Sequence, residues 1–457
     1  MSSLPVDLEL IKKYNVPGPR YTSYPPATQF TDQVERDFLS DLIRENQEGM
    51  RDISLYFHIP FCESLCWFCG CTTTITTKHE QGNDYLDNLE REMELYSREM
   101  NPKRQVVQVH LGGGTPTFLR AEDIQRLGEM IRRYFTVAEE KEAGVEIDPR
   151  RLTHDRVVAL REAGFRRASM GVQDNNPEVQ KAVHRVQPLE VTQQAVDWLR
   201  EEGFESLNID LIYGLPYQTA ESFEKTLDEI VALAPDRLAV FNYAHVPWMK
   251  PAQKILRDEI LPSPELKFQL LKLTIEKLTD VGYVYIGMDH FAKADDELAI
   301  AQREKTLQRN FQGYSTAGGV DIFGFGMSSI SQIPDAYWQN IKELDDYAAA
   351  VESGERPIIR GYLLTPEDRI RREVIMRMMC HLQLDYVQLS RELDIDFQQF
   401  FAPEIESLED MEVDGLLVRS AEGLQITDLG RLVIRNIAMR FDAYHKAGRE
   451  QRFSKTI

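Results

Sequence analysis

From residue 53 to about 330 the chain alternates short apolar runs with amphipathic helical patterns. That alternation limits the possible folds more than any other feature. The runs near 53–59, 106–111, 144–148, 167–172, 207–213, 237–244 and 283–288 are rich in β-branched and aromatic residues and read as buried strands. Helical patterns fill the gaps at 83–100, 122–135, 153–163, 188–202, 219–233 and 264–280. Several open on N-cap chemistry, such as Thr153 and Ser263, the latter followed by Pro264. Strand–helix–strand repeats run parallel through right-handed crossovers. The expected class is therefore α/β, with ligands gathered at the carboxyl ends of the strands.

Chemistry sits at the first of those ends. After the run Ile53 to Ile59, Pro60 stops the strand because it cannot donate to a ladder. Cys62, Cys66, Cys69 and Cys71 then follow within ten residues, out of five cysteines in the whole chain. Three fit a C-x3-C-x2-C spacing, close enough for their thiolates to converge on one metal centre. A cubane iron–sulfur cluster held by three thiolates leaves one iron without a protein ligand. A structural zinc ion wants four ligands, and Cys71 could be the fourth. The loop alone leaves both open.

The second strand end carries Gly112-Gly113-Gly114-Thr115-Pro116, and glycines there let backbone approach a ligand closely. A plain strand-to-helix turn would use the same residues, but beside the cysteine loop it is the weaker account. Polar groups recur at further ends: Glu146 and Asp148, then Ser169, Gln173 and Asp174, then Asn208, Asp210 and Tyr213, then Asn242 and His245, then Asp289 and His290. Any one of these suits a cap or a turn. A polar group at five successive ends describes the rim of a pocket.

Flanking segments complete the plan. Residues 1–52 hold Gly18-Pro-Arg-Tyr-Thr-Ser-Tyr-Pro-Pro26, an extended arm in which Arg20, Tyr21 and Tyr24 could bind carboxylates or stack on rings, ahead of a helix at about 34–45. Residues 302–330 read as a long, loop-rich connection. Near 356 the pattern changes. Thr365-Pro366-Glu367-Asp368 opens a helix with Ile370, Val374, Ile375 and Met378 on one face, a hairpin covers 416–427, and a helix starts at Leu429. Helix, hairpin and helix suggest a winged-helix-like module in which Cys380 is a core residue. A net charge of −21 argues against nucleic acid and means that an anionic substrate needs a local basic pocket. The amino terminus lacks a basic stretch before an apolar run, and no run of about 18 apolar residues exists for a membrane span. Clustered cysteines suit a reducing compartment, so a cytoplasmic protein is expected.

The cysteine spacing, with Phe68 before the third cysteine, and the Gly112–Pro116 edge resemble the radical S-adenosylmethionine (SAM) superfamily. The resemblance implies a partial (β/α) barrel of the radical SAM type. Around it would sit an N-terminal arm (1–52), a catalytic domain (53–355) and a small, mostly α-helical, winged-helix-like C-terminal domain (356–457). Further motifs narrow it: Gly18–Pro25, the extra Cys71, Glu146-Ile-Asp-Pro149, Gly171-Val-Gln-Asp174, Asn208–Pro216 and Met288-Asp-His-Phe291 are similar to those of the oxygen-independent coproporphyrinogen III oxidase family, nearly end to end. That likeness implies oxidative decarboxylation of two propionates of coproporphyrinogen III to vinyl groups, giving protoporphyrinogen IX in haem biosynthesis. A 5′-deoxyadenosyl radical would remove a hydrogen β to each carboxylate, and CO2 and one electron would then leave. It implies a 4Fe-4S cluster on Cys62, Cys66 and Cys69 and two SAM molecules. Tyr56, Gly113, Glu146 and Ile330 would hold the cluster-bound SAM; Phe68, Gly114, Thr115, Gln173, Arg185, Asp210 and Ala244 would line the second. No side-chain acid or base is required. Arg20 and Tyr21 are expected to close over the substrate, an electron donor such as flavodoxin or ferredoxin is implied, and a monomer is expected. The rivals are a related haem chaperone without the decarboxylase activity, and a zinc-stabilised scaffold.

Overall fold

The apolar runs come together in one sheet. In the computed structural model, which describes residues 8–33 and 36–445, the strands are β1 (Ile53–Ile59), β2 (Val106–Gly113), β3 (Val137–Ile147), β4 (Arg167–Gln173), β5 (Ser206–Tyr213), β6 (Arg237–Asn242), β7 (Tyr283–Gly287), β8 (His290–Lys293), β9 (Asp321–Phe325), β10 (Ile330–Ile333), β11 (Ala336–Asn340) and β12 (Ile358–Leu363). Among the described residues they form a sheet of 12 strands in the order β12-β11-β10-β9-β1-β2-β3-β4-β5-β6-β8-β7. The run from β9 to β6 is parallel throughout and curls as a partial barrel of the radical SAM type. The crossover helices are α1 (Glu80–Ser97), α2 (Ala121–Tyr134), α3 (His154–Ala163), α4 (Leu189–Glu201), α5 (Ala220–Ala232) and α6 (Pro264–Asp280).

Period-two alternation decides what each strand shows to each side. Val109, Leu111, Val145, Ile147, Ala168, Met170, Ile209, Leu211, Leu238 and Val240 are buried in the main core. The residues between them, including His110, Glu146, Ser169, Asn208 and Asp210, face a cavity of about 220 Å³ inside the barrel. The helices cover the outer face, as α2 does by burying Ile124, Leu127, Met130 and Ile131. The apolar effect thus assembles the shell, and the interior is left to polar groups.

Cap chemistry holds at Ser263, which accepts from the Leu266 N–H, and at Thr365, which forms a capping box with Asp368. Thr153 stands at its N-cap position, but its side chain makes no cap bond to the helix.

Three expectations are corrected. The segment 302–330 is not one long loop: it takes in the last turn of a helix (Glu297–Glu304), a small hairpin and β9, the parallel partner of β1. Its glycines misled because they serve close approach. A Cβ on Gly324 would stand 2.7 Å from the Ile330 carbonyl oxygen. Second, 283–287 is no barrel strand. It forms the sheet's edge, antiparallel to β8, which is antiparallel to β6, so Asp289 lies in a hairpin turn. Third, the sheet continues through β12 to Leu363, past the seam expected at 355. The arm helix runs Arg36–Gln47, and positions 34 and 35 lie outside the described residues.

Beyond β12, α7 (Pro366–His381) leads into a three-stranded antiparallel sheet of Gln383–Asp385, Gly423–Ile426 and Leu417–Arg419 among short helices. This module has its own core, which includes Cys380 and also takes in Tyr14, Tyr21 and Tyr24 of the arm. The described part of the arm is therefore packed against the C-terminal module.

Candidate active site

Between β1 and α1 the cysteine loop is pinned on three sides. The Gly114 N–H donates to the Ile59 carbonyl and the Thr115 N–H to that of Phe61, both at 2.8 Å, so the glycine edge is zipped to the root of the loop. Only glycine fits at 114, because a Cβ would come within 2.6 Å of the Pro60 carbonyl oxygen. On the far side Gln253 donates to the Phe68 carbonyl and Lys250 to that of Cys71, each at 2.8 Å. Trp67 stacks on His184 with ring centroids 5.2 Å apart.

Every sulfur of the C-x3-C-x2-C set has a donor beside it. Cys62 Sγ lies 3.3 Å from the Thr115 hydroxyl. Cys66 Sγ accepts from Arg150 at 3.4 Å and from Arg185 at 3.6 Å. Cys69 Sγ accepts from the Cys71 N–H at 3.4 Å. Burial pushes the Cys62 thiol up to about 11, only partly offset by Thr115, whereas hydrogen bonding from Cys71, its thiol first and its N–H after, draws Cys69 down to about 6. Donors placed around sulfur suit thiolates bound to iron. Among the described residues no three His, Cys, Asp or Glu side chains close on a point where a single ion could sit. Three cysteines with a donor beside each sulfur are a donor set whose chemistry fits an iron–sulfur cluster.

Inside the barrel the residues expected to hold SAM converge in part. Glu146 accepts from the Gly113 N–H at 3.1 Å and lies 3.6 Å from His110. Enclosure raises its carboxyl, but His110 and the Gly113 N–H outweigh that and keep it below the usual carboxylate range. Tyr56 stacks on His110 and contacts His58 at 3.2 Å. Asp210 accepts from Asn208 at 2.7 Å and from Ser169 at 3.2 Å, yet burial still pushes it up to about 7. Asp148 bridges Arg150 and Arg185. Burial would raise it, but the two guanidiniums, Arg185 first, bring it down to about 2. Arg185 keeps a buried Nε without a hydrogen-bond partner, a donor available to a ligand carboxylate. Gln173 takes a left-handed backbone (φ 72°) at the end of β4, beside Gly171.

Other expected residues lie further out. Ala244 is exposed just past β6, and Ile330 opens β10 opposite Gln339. Phe68 packs with Val179, Val183, Leu215, Tyr243 and Leu256. Arg20 pairs with Asp289 and lies over the Phe241 ring, which lines the cavity. Tyr21 is 1% exposed and donates to Asp442 at 2.9 Å, so its ring belongs to the C-terminal core and not to the cavity. The sequence places Asp148 at the rim of the pocket but gives no role to His110 or Arg150. The signal for Arg150 was its place two residues beyond a strand-end acid, in Asp148-Pro149-Arg150.

Residues 56–230 match the model of the radical SAM superfamily, and 364–433 that of the HemN C-terminal domain. The oxygen-independent coproporphyrinogen III oxidase of Escherichia coli (strain K12) is 47% identical over 453 residues, 99% of this chain and 98% of that protein. The protein of that name from Pseudomonas aeruginosa is 45% identical, with 99% and 98% covered. The solved structure of coproporphyrinogen III oxidase from E. coli, described as a radical SAM enzyme, superposes with a TM-score of 0.92 at 45% identity, covering 97% of this chain and 100% of that one.

Proposed function

The chain belongs to the oxygen-independent coproporphyrinogen III oxidase family of radical SAM enzymes, and from that premise we propose how its residues divide the work. The protein is an oxidoreductase that oxidatively decarboxylates coproporphyrinogen III to protoporphyrinogen IX without oxygen, using SAM and an iron–sulfur cluster. Haem chaperone and zinc scaffold are set aside by family membership. The observation that carries the assignment of roles is the cysteine loop zipped to the Gly112–Gly114 edge, with Glu146 and Asp210 facing the cavity behind it.

Cys62, Cys66 and Cys69 would hold the cluster and leave one iron for SAM; when bound, the pair supplies a 5′-deoxyadenosyl radical. Glu146 and the backbone at Gly113 would take the amino group of the cluster-bound SAM. An ionised carboxylate below its usual range suits a cation. Tyr56 would flank its adenine, with Ile330 beside it. Asp210, with Asn208 and Ser169 orienting it, would accept ribose hydroxyls of a second SAM. Arg185 would pair with that molecule's carboxylate, and Phe68, Gly114, Thr115, Gln173 and Ala244 would shape its pocket. No proton transfer at a side chain is needed, so no residue is given an acid–base role.

Arg20 would meet a propionate of the substrate by exchanging its Asp289 partner for the substrate carboxylate. That gives an acidic chain the local cation it needs. The arm, the barrel through the sheet's last strand and the C-terminal module are proposed as functional units. A low-potential donor such as flavodoxin or ferredoxin would supply the electron. One chain carries every residue named, which favours a monomer. Among the described residues no helix is long and apolar enough to cross a membrane. All five cysteines are unpaired, which suits the cytoplasm. The assay is anaerobic incubation of reconstituted protein with coproporphyrinogen III, SAM and reductant. The reading requires two CO2 per protoporphyrinogen IX together with 5′-deoxyadenosine, and it fails if SAM is cleaved but the propionates survive.

A further inference from the structure

The geometry points to Arg150 and its counter-ion Asp148 as the pair that sets the reduction potential of the centre on the cysteine loop. Arg150 acts through the Cys66 sulfur, so it is a positioning and tuning residue. The inference rests on the reading that Cys66 is an iron ligand.

Local structure fixes Arg150 firmly. Asp148 caps the short turn Pro149–Arg151 by accepting the Arg150 N–H at 3.1 Å. The guanidinium then grips the same carboxylate through Nε at 3.0 Å and Nη2 at 2.6 Å. Nη2 also donates to Cys66 Sγ at 3.4 Å. Both partners are mostly buried, with side chains 15% and 13% exposed. Arg185 approaches the same sulfur and the same Asp148 from β4's side, but it is also tied to the Gly171 carbonyl and is already given to SAM. Arg150 has no such second task.

The physical consequence has a definite sign. A hydrogen bond to a ligating sulfur stabilises the state with more negative charge, so a donor here raises the potential. Arg150 and Arg185 against Asp148 leave one net positive charge beside Cys66, in a site where solvent screens poorly. The chain as a whole carries −21, a field that opposes an added electron. A local cation is what makes single-electron reduction by a low-potential donor attainable.

The two partners should push the potential in opposite directions, which a merely structural role would not do. The test is redox titration of the anaerobically reconstituted full-length chain, followed by its paramagnetic resonance signal, without substrate. Arg150→Met should keep the iron content but lower the potential, by about 59 mV for a tenfold change in the one-electron reduction equilibrium. Arg150→Lys should recover part of that shift, and Asp148→Asn should move the potential upward. Should Arg150→Met fail to load iron, Asp148→Asn and Arg150→Lys decide. An intact cluster whose potential does not move, or moves the same way for both Arg150→Met and Asp148→Asn, overturns the inference. Wild-type protein that takes up no cluster overturns the reading beneath it, a distinguishable result.

Discussion

Glycine 114 shows how much one residue can carry. A methyl group there would sit 2.6 Å from the Pro60 carbonyl oxygen and 2.8 Å from that of Phe61, and both are backbone atoms that cannot swing aside. Gly114→Ala should therefore cost about 1–3 kcal/mol in anaerobic chemical denaturation and abolish SAM cleavage, because the loop must lift off the glycine edge. At this scale the sequence was partly legible. The cysteines, the triple glycine, Glu146 and Asp210 announce themselves by spacing and by their place at strand ends. Arg150 and His110 did not, because a guanidinium on a sulfur 84 residues away leaves no local signature. Tyr21 misled for the opposite reason: its neighbour Arg20 does reach a cavity-lining ring, while Tyr21 turns into a different core.

Elements are held by a few buried polar ties that pattern alone cannot show. Arg104, just before β2, forms an ion pair with Asp321 at the head of β9, and both side chains are fully buried. The pair clamps the two neighbours of β1, the strand that leads to the cysteine loop. Arg104→Ala should cost about 3–5 kcal/mol, since it leaves a buried carboxylate with only Asn46 and the more distant, exposed Arg51 beside it. Urea titration of the variant would show this as a lowered midpoint. Glu92 on α1 accepts from the Gly326 N–H, Asn340 and Tyr347, and so fixes the turn after β9. Burial raises its carboxyl from 4.5 to about 7 despite those donors. The folded chain then keeps a proton that the unfolded chain has released, so this contribution is complete below about pH 4 and is lost as pH rises through 7. Thermal melts between pH 6 and 8 should fall for the wild type and fall less steeply for Glu92→Gln. The parallel strands and their helices were legible because apolar periodicity is local. The strand β9 was not: five residues between glycines look like a loop until β1 pairs with them.

On the scale of the molecule, the N-terminal arm and the C-terminal module share one core, and Arg20 lies where the two meet the barrel. Arg20→Ala should raise the KM for coproporphyrinogen III about tenfold, the equivalent of ~1.4 kcal/mol of lost carboxylate pairing, with little change in SAM binding. Tyr21→Phe should instead lower stability by about 1 kcal/mol through its lost bond to Asp442 and leave that KM unchanged. Steady-state kinetics beside denaturation curves separate the two roles. The proposed chemistry requires three thiolates, and no fourth, to hold the cluster. The most direct measurement is iron and sulfide content, with the cluster's resonance spectrum, for single alanine variants of the four loop cysteines after anaerobic reconstitution. Loss of the cluster in Cys62→Ala, Cys66→Ala and Cys69→Ala, with about four irons retained in Cys71→Ala, is the predicted pattern. Equal loss in Cys71→Ala would mean a site closed by four protein ligands, with no iron left open to SAM.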